Sequence, residues 1–94
     1  MSYLETLFNL NDKVVLVTGA CGQLGKVICK GFINSGCKVI GVDIDINENL
    51  IDSVEYFELD SRNLVEKEKL YEVIIKRFKV IDVLVNNAGV STFD

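Results

Sequence analysis

Three glycines stand close together directly after the apolar segment VVLV, within the stretch TGACGQLGK that starts at Thr18. Glycines between a strand and a helix let backbone N–H groups approach a phosphate, and the free amides at a helix N-terminus favour an anion. The stretch therefore predicts a phosphate-binding turn. Such a turn binds either a nucleoside triphosphate with its metal ion or a dinucleotide, and these ligands imply different chemistry.

The spacing of the glycines favours the dinucleotide. A triphosphate loop has the pattern G-x-x-x-x-G-K followed by Ser or Thr, whereas five residues separate Gly19 from Gly25 and a valine follows the lysine. The pattern T-G-x-x-G-x-x-G fits a dinucleotide turn instead. In such a turn Gly19 permits the tight bend, Gly22 lets the backbone approach the pyrophosphate, and Gly25 lets the helix pack closely on the sheet.

An acidic residue ends the next apolar segment, KVIGVD. Asp43 lies 18 residues after Gly25, close to the spacing of about 20 at which an acid binds the adenosine ribose of NAD. Between positions 39 and 61 the chain has seven acidic residues and no basic one. A 2′-phosphate would meet these charges, so we expect NAD rather than NADP as the cofactor. Asp43 and the adjacent Ile44 join the predicted cofactor site.

Four apolar segments predict the strands that position these groups. They cover residues 13–17, 38–43, 54–60 and 80–85. The first two are continuously apolar, which is typical of parallel strands buried on both faces, whereas the third alternates and is expected nearer a sheet edge. Strands separated by short helical connections predict an α/β fold, a Rossmann-type doubly wound parallel sheet, of which about four strands are present.

Two helices are predicted between these strands. The first covers residues 24–36 and ends at a Ser-Gly pair, and its inward face is predicted to contain Leu24, Val27, Ile28 and Phe32. Asn63 and Glu66 resemble a capping box that opens the second helix, which runs to residue 78. Its inward residues are predicted to be Leu70, Ile74 and Phe78. Residues 46–53 are predicted to form a short helix or an irregular connection.

Composition excludes several other classes of function. The chain has no histidine, so a Ser/His/Asp triad and a histidine metal site are not available, and no metal is expected. The net charge of −4 disfavours nucleic acid as a partner. Three cysteines spaced eight apart suit neither zinc nor a disulfide framework and are interpreted as small apolar core residues. No apolar run suits a membrane span or a signal peptide, and we expect a cytoplasmic protein.

The order of these segments resembles the short-chain dehydrogenase/reductase family. The landmarks are DKVVLVTGACGQLG, VIGVD, ELDSRN and IDVLVNNAG. The resemblance implies an oxidoreductase that transfers a hydride between the nicotinamide of NAD and a small carbonyl compound or secondary alcohol. It places Asp60 and Ser61 near the adenine and the NNAG turn against the cofactor. The implied cofactor-binding residues are Thr18, Gly19, Cys21, Gly22, Gln23, Leu24, Gly25, Asp43, Ile44, Asp60, Ser61, Asn87, Ala88 and Gly89.

Two family features are missing from the sequence. A glycine usually follows the helix before the NNAG strand, whereas Lys79 stands there and needs a left-handed conformation or a different cap. The family's catalytic Tyr-x-x-x-Lys pair has no match, because no lysine stands at the fourth position after Tyr3, Tyr56 or Tyr71. No catalytic residue is therefore assigned.

The missing pair limits what we expect of the chain. Residues 1–94 are predicted to be the partial cofactor-binding domain of a longer enzyme, inactive alone, whose parent is a homo-oligomer. Two alternatives stay open: a sugar-nucleotide epimerase or dehydratase, and a non-catalytic NAD-binding module.

Overall fold

A computed structural model describes residues 10–46 and 50–87. Its elements follow the order strand, helix, strand, strand, helix, strand. They are β1 (Val14–Thr18), α1 (Gln23–Asn34), β2 (Lys38–Asp43), β3 (Val54–Glu58), α2 (Leu64–Phe78) and β4 (Val83–Asn86). The predicted strands and helices are confirmed, with ends shifted by up to three residues.

The four strands form one parallel sheet in the order β3-β2-β1-β4. Val17 of β1 pairs with Gly41 of β2 on one side and with Val85 of β4 on the other. The sequence-adjacent strands β3 and β4 therefore lie at opposite edges of the described sheet, as expected for β3. Because all strands run the same way, the polar residues that follow β1, β2 and β4 meet at one end of the sheet.

Each face of the sheet has its own apolar core. Val15, Val17 and Val39 pack with Cys29 of α1 on one face. On the other face, Leu16 and Ile40 pack with Ile74 of α2. Alternate residues of one strand thus serve two different helices, and the continuous apolar runs follow from burial on both faces. Helices on both faces make this a doubly wound, Rossmann-type sheet, which confirms the predicted fold class.

The inward face of α1 differs from the prediction. Gly25 and Cys29 are buried against the sheet, whereas Leu24 and Val27 are 54% and 66% exposed. Ile28 and Phe32 are partly buried, as predicted. The close approach at Gly25 sets the rotation of the helix. Val27 then points about 200° away from Gly25 at 100° per residue, and Cys29 returns to the same side.

The ends of α2 follow the predicted pattern more closely. Asn63 Oδ1 accepts a hydrogen bond from the Glu66 N–H (3.2 Å), while its own N–H donates to the Asp60 carbonyl rather than to the Glu66 side chain. The box is therefore half formed. Lys79 adopts the predicted left-handed conformation (φ 74°), and its N–H donates to the Ile75 carbonyl (2.8 Å). Ile74 is fully buried, and Leu70 and Phe78 pack beside it.

The connection from β2 to β3 passes through residues 47–49, which lie outside the described residues. Residues 50–53 are not helical, and the Tyr56 hydroxyl accepts a hydrogen bond from the Ile51 N–H (3.2 Å). The Tyr56 ring lies over Gly41, where an added Cβ would come within 2.9 Å of it. Among the described helices, neither could cross a membrane, because both are too short or too polar.

Candidate cofactor site

The glycine turn, residues 18–25, connects β1 to α1 at the end of the sheet where the strands finish. Gly19 has φ 65°, a conformation that glycine adopts without strain. A Cβ on Gly25 would lie 2.0 Å from the Gly19 carbonyl oxygen and 2.9 Å from the Ala20 Cα. Both glycines are therefore required by the backbone itself, which agrees with the tight bend and the close helix packing that the spacing predicts.

Gly22 is different, because the fold does not need a glycine there. Its φ of −75° suits any residue, and a Cβ would meet only the Gly19 carbonyl oxygen, at 3.7 Å. Gly22 is the N-cap of α1 but supplies no side-chain hydrogen bond, and the first turn of α1 has no acidic residue. Neither the cap nor the first turn of α1 therefore supplies a negative charge to its N-terminus.

The turn is held in place by β2. The Ala20 N–H donates to the Val42 carbonyl (3.2 Å), and the Cys21 N–H donates to Oδ2 of Asp43 (2.9 Å). Oδ1 of Asp43 accepts from the Ile44 N–H (2.7 Å). Each carboxylate oxygen can accept two hydrogen bonds, so each retains one acceptor position. Asp43 can therefore support the glycine turn and still bind two hydroxyl groups of a ligand.

The turn is also held by β4 and the residue after it. The Asn87 amide donates to the Gly19 carbonyl (3.1 Å), and the Thr18 hydroxyl lies 3.1 Å from Oδ1 of Asn86. Asparagine side chains at the strand end thus satisfy a backbone carbonyl and a hydroxyl group of the turn. The predicted site residues Ala88 and Gly89 lie outside the described residues.

Asp60 and Arg62 form a close ion pair just after β3. The Arg62 N–H and Nε both donate to Oδ1 of Asp60 (3.0 Å each), and Nη2 donates to Oδ2 (2.8 Å). These hydrogen bonds to the charged form lower the pKa of Asp60 from 3.8 to about 2, and the Asp60 carboxylate raises the pKa of Arg62. The pair is solvent-accessible, with 82% of the Arg62 side chain exposed.

A cavity of about 620 Å³ joins these groups at the ends of the strands. The predicted residues that line it are Thr18, Gly19, Gly22, Gln23, Leu24, Asp43, Ile44, Asp60, Ser61 and Asn87. Of the remaining described ones, Cys21 contributes its backbone N–H to Asp43 and Gly25 packs the helix. The structure thus brings together residues from four segments that are far apart in the sequence, one at the end of each strand.

Sequence reasoning missed several lining residues. They are Leu16, Val42, Leu59, Arg62, Lys67, Tyr71, Leu84 and Asn86. The apolar ones lie in the strands, except Leu59, which directly follows β3. Arg62 carries the clearest signal, since a basic residue two positions after an acid at a strand end can form a local ion pair. Lys67 and Tyr71 lie on α2, with the ammonium 6.0 Å from the ring centroid.

The residues present fit a dinucleotide. An anion would lie at the uncapped N-terminus of α1, where Gly22 leaves the space that a Cβ would occupy. Asp43 has acceptor positions for a diol beside it. The part of the chain that the structure describes contains no cluster of three or more His, Cys, Asp or Glu side chains that could hold a metal ion.

The three cysteines are free and buried, which confirms their interpretation as core residues. Burial, together with the nearby Cys21, raises the pKa of the Cys29 thiol from 9.0 to about 11. The thiol is therefore protonated at neutral pH and is a poor nucleophile.

Comparison with known proteins identifies the family. A family model for short chain dehydrogenase matches residues 13–94. A Schizosaccharomyces pombe protein described as an uncharacterized oxidoreductase is 39% identical over 82 residues, which are 87% of this chain and 32% of the relative. Sorbitol-6-phosphate 2-dehydrogenase of Klebsiella pneumoniae is 34% identical over 91 residues, covering 94% of this chain and 34% of the relative.

A solved structure shows the same fold. Ligand-free aldohexose dehydrogenase of Thermoplasma acidophilum superposes with a TM-score of 0.76 at 36% identity, over 83% of this chain and 30% of that one. The chain thus spans about a third of the length of the relatives that it matches. The family match, the sheet order and the glycine turn agree: the chain belongs to the short chain dehydrogenase family, oxidoreductases that use nicotinamide cofactors.

Proposed function

We propose that residues 1–94 form the cofactor-binding part of an NAD-dependent oxidoreductase. The observation that carries the proposal is the contrast among the three glycines of the turn. Gly19 and Gly25 are required by the backbone, but Gly22 is not, and it lines the cavity at the uncapped N-terminus of α1. A glycine without a structural requirement at this position is explained by a ligand, the pyrophosphate, that needs the space.

Asp43 supports NAD over NADP. Its two oxygens each keep one acceptor position after bonding to the Cys21 and Ile44 amides. These positions suit the 2′- and 3′-hydroxyls of the adenosine ribose, whereas a 2′-phosphate would face a carboxylate. In the described part of the chain, two cations line the cavity. Arg62 is paired with Asp60 and offers little net charge to such a phosphate, and Lys67 lies on α2 with its ammonium 6.0 Å from the Tyr71 ring centroid.

Hydride transfer to or from a substrate also requires a proton donor or acceptor, in addition to the cofactor-binding residues. When bound, the nicotinamide would supply the hydride transfer, with NAD as acceptor or NADH as donor. The residues of this chain bind the pyrophosphate and the adenosine and, through Asn87, fix the glycine turn against β4. We propose that the substrate is a small carbonyl compound or secondary alcohol and that the 94-residue polypeptide alone does not turn it over. This follows from the absence of a Tyr-x-x-x-Lys pair in its sequence and from the greater length of its relatives.

The T-G-x-x-G-x-x-G spacing favours a second candidate, a sugar-nucleotide epimerase or dehydratase. Such an enzyme would retain its NAD and show no net redox change. Product analysis with the full-length protein separates the two: net conversion of NAD to NADH with an alcohol supports the first proposal, and isomerised or dehydrated product with retained NAD supports the second.

Two substitutions in the full-length protein test the cofactor site. Gly22→Ala should cost at most about 1 kcal/mol of stability, because alanine is a poorer N-cap than glycine, and should weaken NAD binding about tenfold or more, because the added methyl group occupies the space beside the pyrophosphate. Asp43→Asn keeps an oxygen for the Cys21 amide but removes the charge, so the NAD/NADP ratio of kcat/KM should fall about tenfold or more. Calorimetric titration and steady-state kinetics measure the two effects.

The matched control for Gly22→Ala is Gly31→Ala in the same helix, where an added Cβ meets no atom within 4 Å. Equal NAD affinity in wild type and Gly22→Ala would contradict a pyrophosphate at the glycine turn. An unchanged NAD/NADP ratio in Asp43→Asn would remove Asp43 from its proposed role.

A further inference from the structure

Asp60 has almost no hydrogen-bonding capacity left after its contacts with Arg62. Oδ1 accepts from both the Arg62 N–H and Nε, and Oδ2 accepts from Nη2. A carboxylate offers about four acceptor positions in all, so a single one is left, on Oδ2. The carboxylate is therefore held in one orientation and can accept one further hydrogen bond.

Asp60 lies where its remaining acceptor could contact the base of a bound nucleotide. The Leu59 N–H donates to the Asp43 carbonyl (2.8 Å), so Asp60 follows directly beside the residue proposed to bind the ribose. Ile44, 54% exposed, lines the same cavity and offers an apolar surface to a ring. A base attached to a ribose at Asp43 would thus lie between Ile44 and Asp60.

We propose that Arg62 is a positioning residue for purine selection: it fixes the Asp60 carboxylate so that Oδ2 accepts a hydrogen bond from the exocyclic amino group of adenine. The inference rests on the proposed NAD site. Adenine presents an N–H donor at this position, whereas hypoxanthine presents an oxygen, which would face the carboxylate as acceptor against acceptor. The ratio of the affinities for the two dinucleotides therefore measures how firmly the Asp60 carboxylate is oriented.

The alternative role for Arg62 is that of a surface ion pair without a ligand. Exposed pairs of this kind contribute little to stability, so replacement of Arg62 should leave the fold intact. The two roles differ in base selectivity, because an ion pair that only supports the loop would not change the relative affinity for two dinucleotides.

The test compares NADH with reduced nicotinamide hypoxanthine dinucleotide, its deaminated analogue, in the full-length protein. Dihydronicotinamide fluorescence gives both dissociation constants for wild type, Arg62→Ala, Arg62→Lys and Arg77→Ala. Arg77 is the matched control, since it forms an exposed ion pair with Glu55 (2.6 Å) and does not line the cavity. Wild type should prefer NADH about tenfold, the worth of one charge-assisted hydrogen bond.

Arg62→Ala should reduce this preference to about twofold, because only the backbone N–H then orients Asp60. Arg62→Lys should recover part of it, and Arg77→Ala should leave it unchanged. An unaltered preference in Arg62→Ala, or an equal loss in Arg77→Ala, would overturn the role of Arg62 while leaving NAD binding established. Failure of wild type to bind either dinucleotide would overturn the proposed cofactor site and this inference with it.

Discussion

The two helices begin in opposite ways. At the start of α2, the Asn63 side chain accepts a backbone N–H and Glu66 supplies a negative charge in the first turn. At the start of α1, Gly22 provides no side-chain cap and the first turn has no acid. A capped N-terminus satisfies its own amides, whereas an uncapped one keeps them available for an anion. The difference agrees with the proposal that α1, unlike α2, binds a ligand at its N-terminus.

The helices also differ in how they meet the sheet. α1 contacts the turn backbone through Gly25, and α2 packs through the larger residues Leu70, Ile74 and Phe78. Backbone-to-backbone contact brings the N-terminus of α1 to the end of β1, where the cofactor site is. The close backbone contact at Gly25 therefore lies beside the proposed cofactor site.

The largest expected effect comes from filling the contact at Gly25. Gly25→Ala places a Cβ 2.0 Å from the Gly19 carbonyl oxygen, which is backbone and cannot move aside. We expect a loss of about 3 kcal/mol or more in the free energy of unfolding, measured by urea denaturation. Gly31→Ala in the same helix should instead stabilise by up to about 1 kcal/mol, because alanine is the better helix former. Equal effects of the two substitutions would contradict the close packing of α1.

Removing the side-chain cap of α2 and adding one to α1 tests the difference between the two N-termini. Asn63→Ala should lower the free energy of unfolding by about 1 kcal/mol, because the Glu66 N–H loses its acceptor. Gly22→Asn gives α1 a side-chain cap and should stabilise by a few tenths of a kcal/mol, yet weaken NAD binding. Denaturation and calorimetric titration of both variants check this. Tighter NAD binding by Gly22→Asn would count against an anion site there.

The C-terminal ends provide a smaller effect. Gly36 (φ 87°) follows the C-cap Ser35 of α1, and the Gly36 and Cys37 amides donate to the Ile33 and Phe32 carbonyls. Lys79 adopts the corresponding left-handed conformation after α2. Lys79→Gly should raise the free energy of unfolding by about 0.5 kcal/mol, because glycine adopts the left-handed conformation without strain. This net value is small because the substitution also removes the contact between Lys79 Nζ and the Lys76 carbonyl. Gly36→Ala should lower it by about 1 kcal/mol or more. Destabilisation by Lys79→Gly would show that its side chain matters more than its backbone.

The smallest effect is expected from acid titration of the loop before α2. Arg62 lowers the folded-state pKa of Asp60 to about 2, below its ordinary 3.8. The resulting stabilisation is present above about pH 4 and is lost as the pH falls toward 2. Melting temperatures of wild type and Arg62→Ala should therefore differ slightly at pH 7 and converge on acidification. A difference that grows as the pH falls would contradict this sign.

Sequence alone predicts most of the scaffold, because the signals are local. β1 and β2 are buried on both faces and appear as continuous apolar runs, and Asn63 marks the start of α2 by its spacing to Glu66. The glycine turn and Asp43 are predicted because each sits at the end of such a run. The contact between them, from the Cys21 amide to Oδ2 of Asp43, depends on the parallel pairing of β1 with β2, which the sequence alone does not give.

The rotation of α1 and the hydrogen bonds between Arg62 and Asp60 could not be predicted in the same way. Hydrophobicity favours Leu24 and Val27 as inward residues, but the buried contact is made by Gly25, which contributes no apolar side chain. Arg62 belongs to a mixed charged segment, and its three hydrogen bonds depend on the local backbone conformation after β3. Both features are set by geometry rather than by residue type.

The hydrogen bond from Asn87 to the Gly19 carbonyl joins residues 68 positions apart. During synthesis the glycine turn emerges early, but its brace becomes available only after β4 has left the ribosome and docked beside β1. Contacts of such long sequence separation form late, since a large loop has to close first. The proposed affinity for NAD should therefore develop near the end of folding of this region, once the fourth strand is in place.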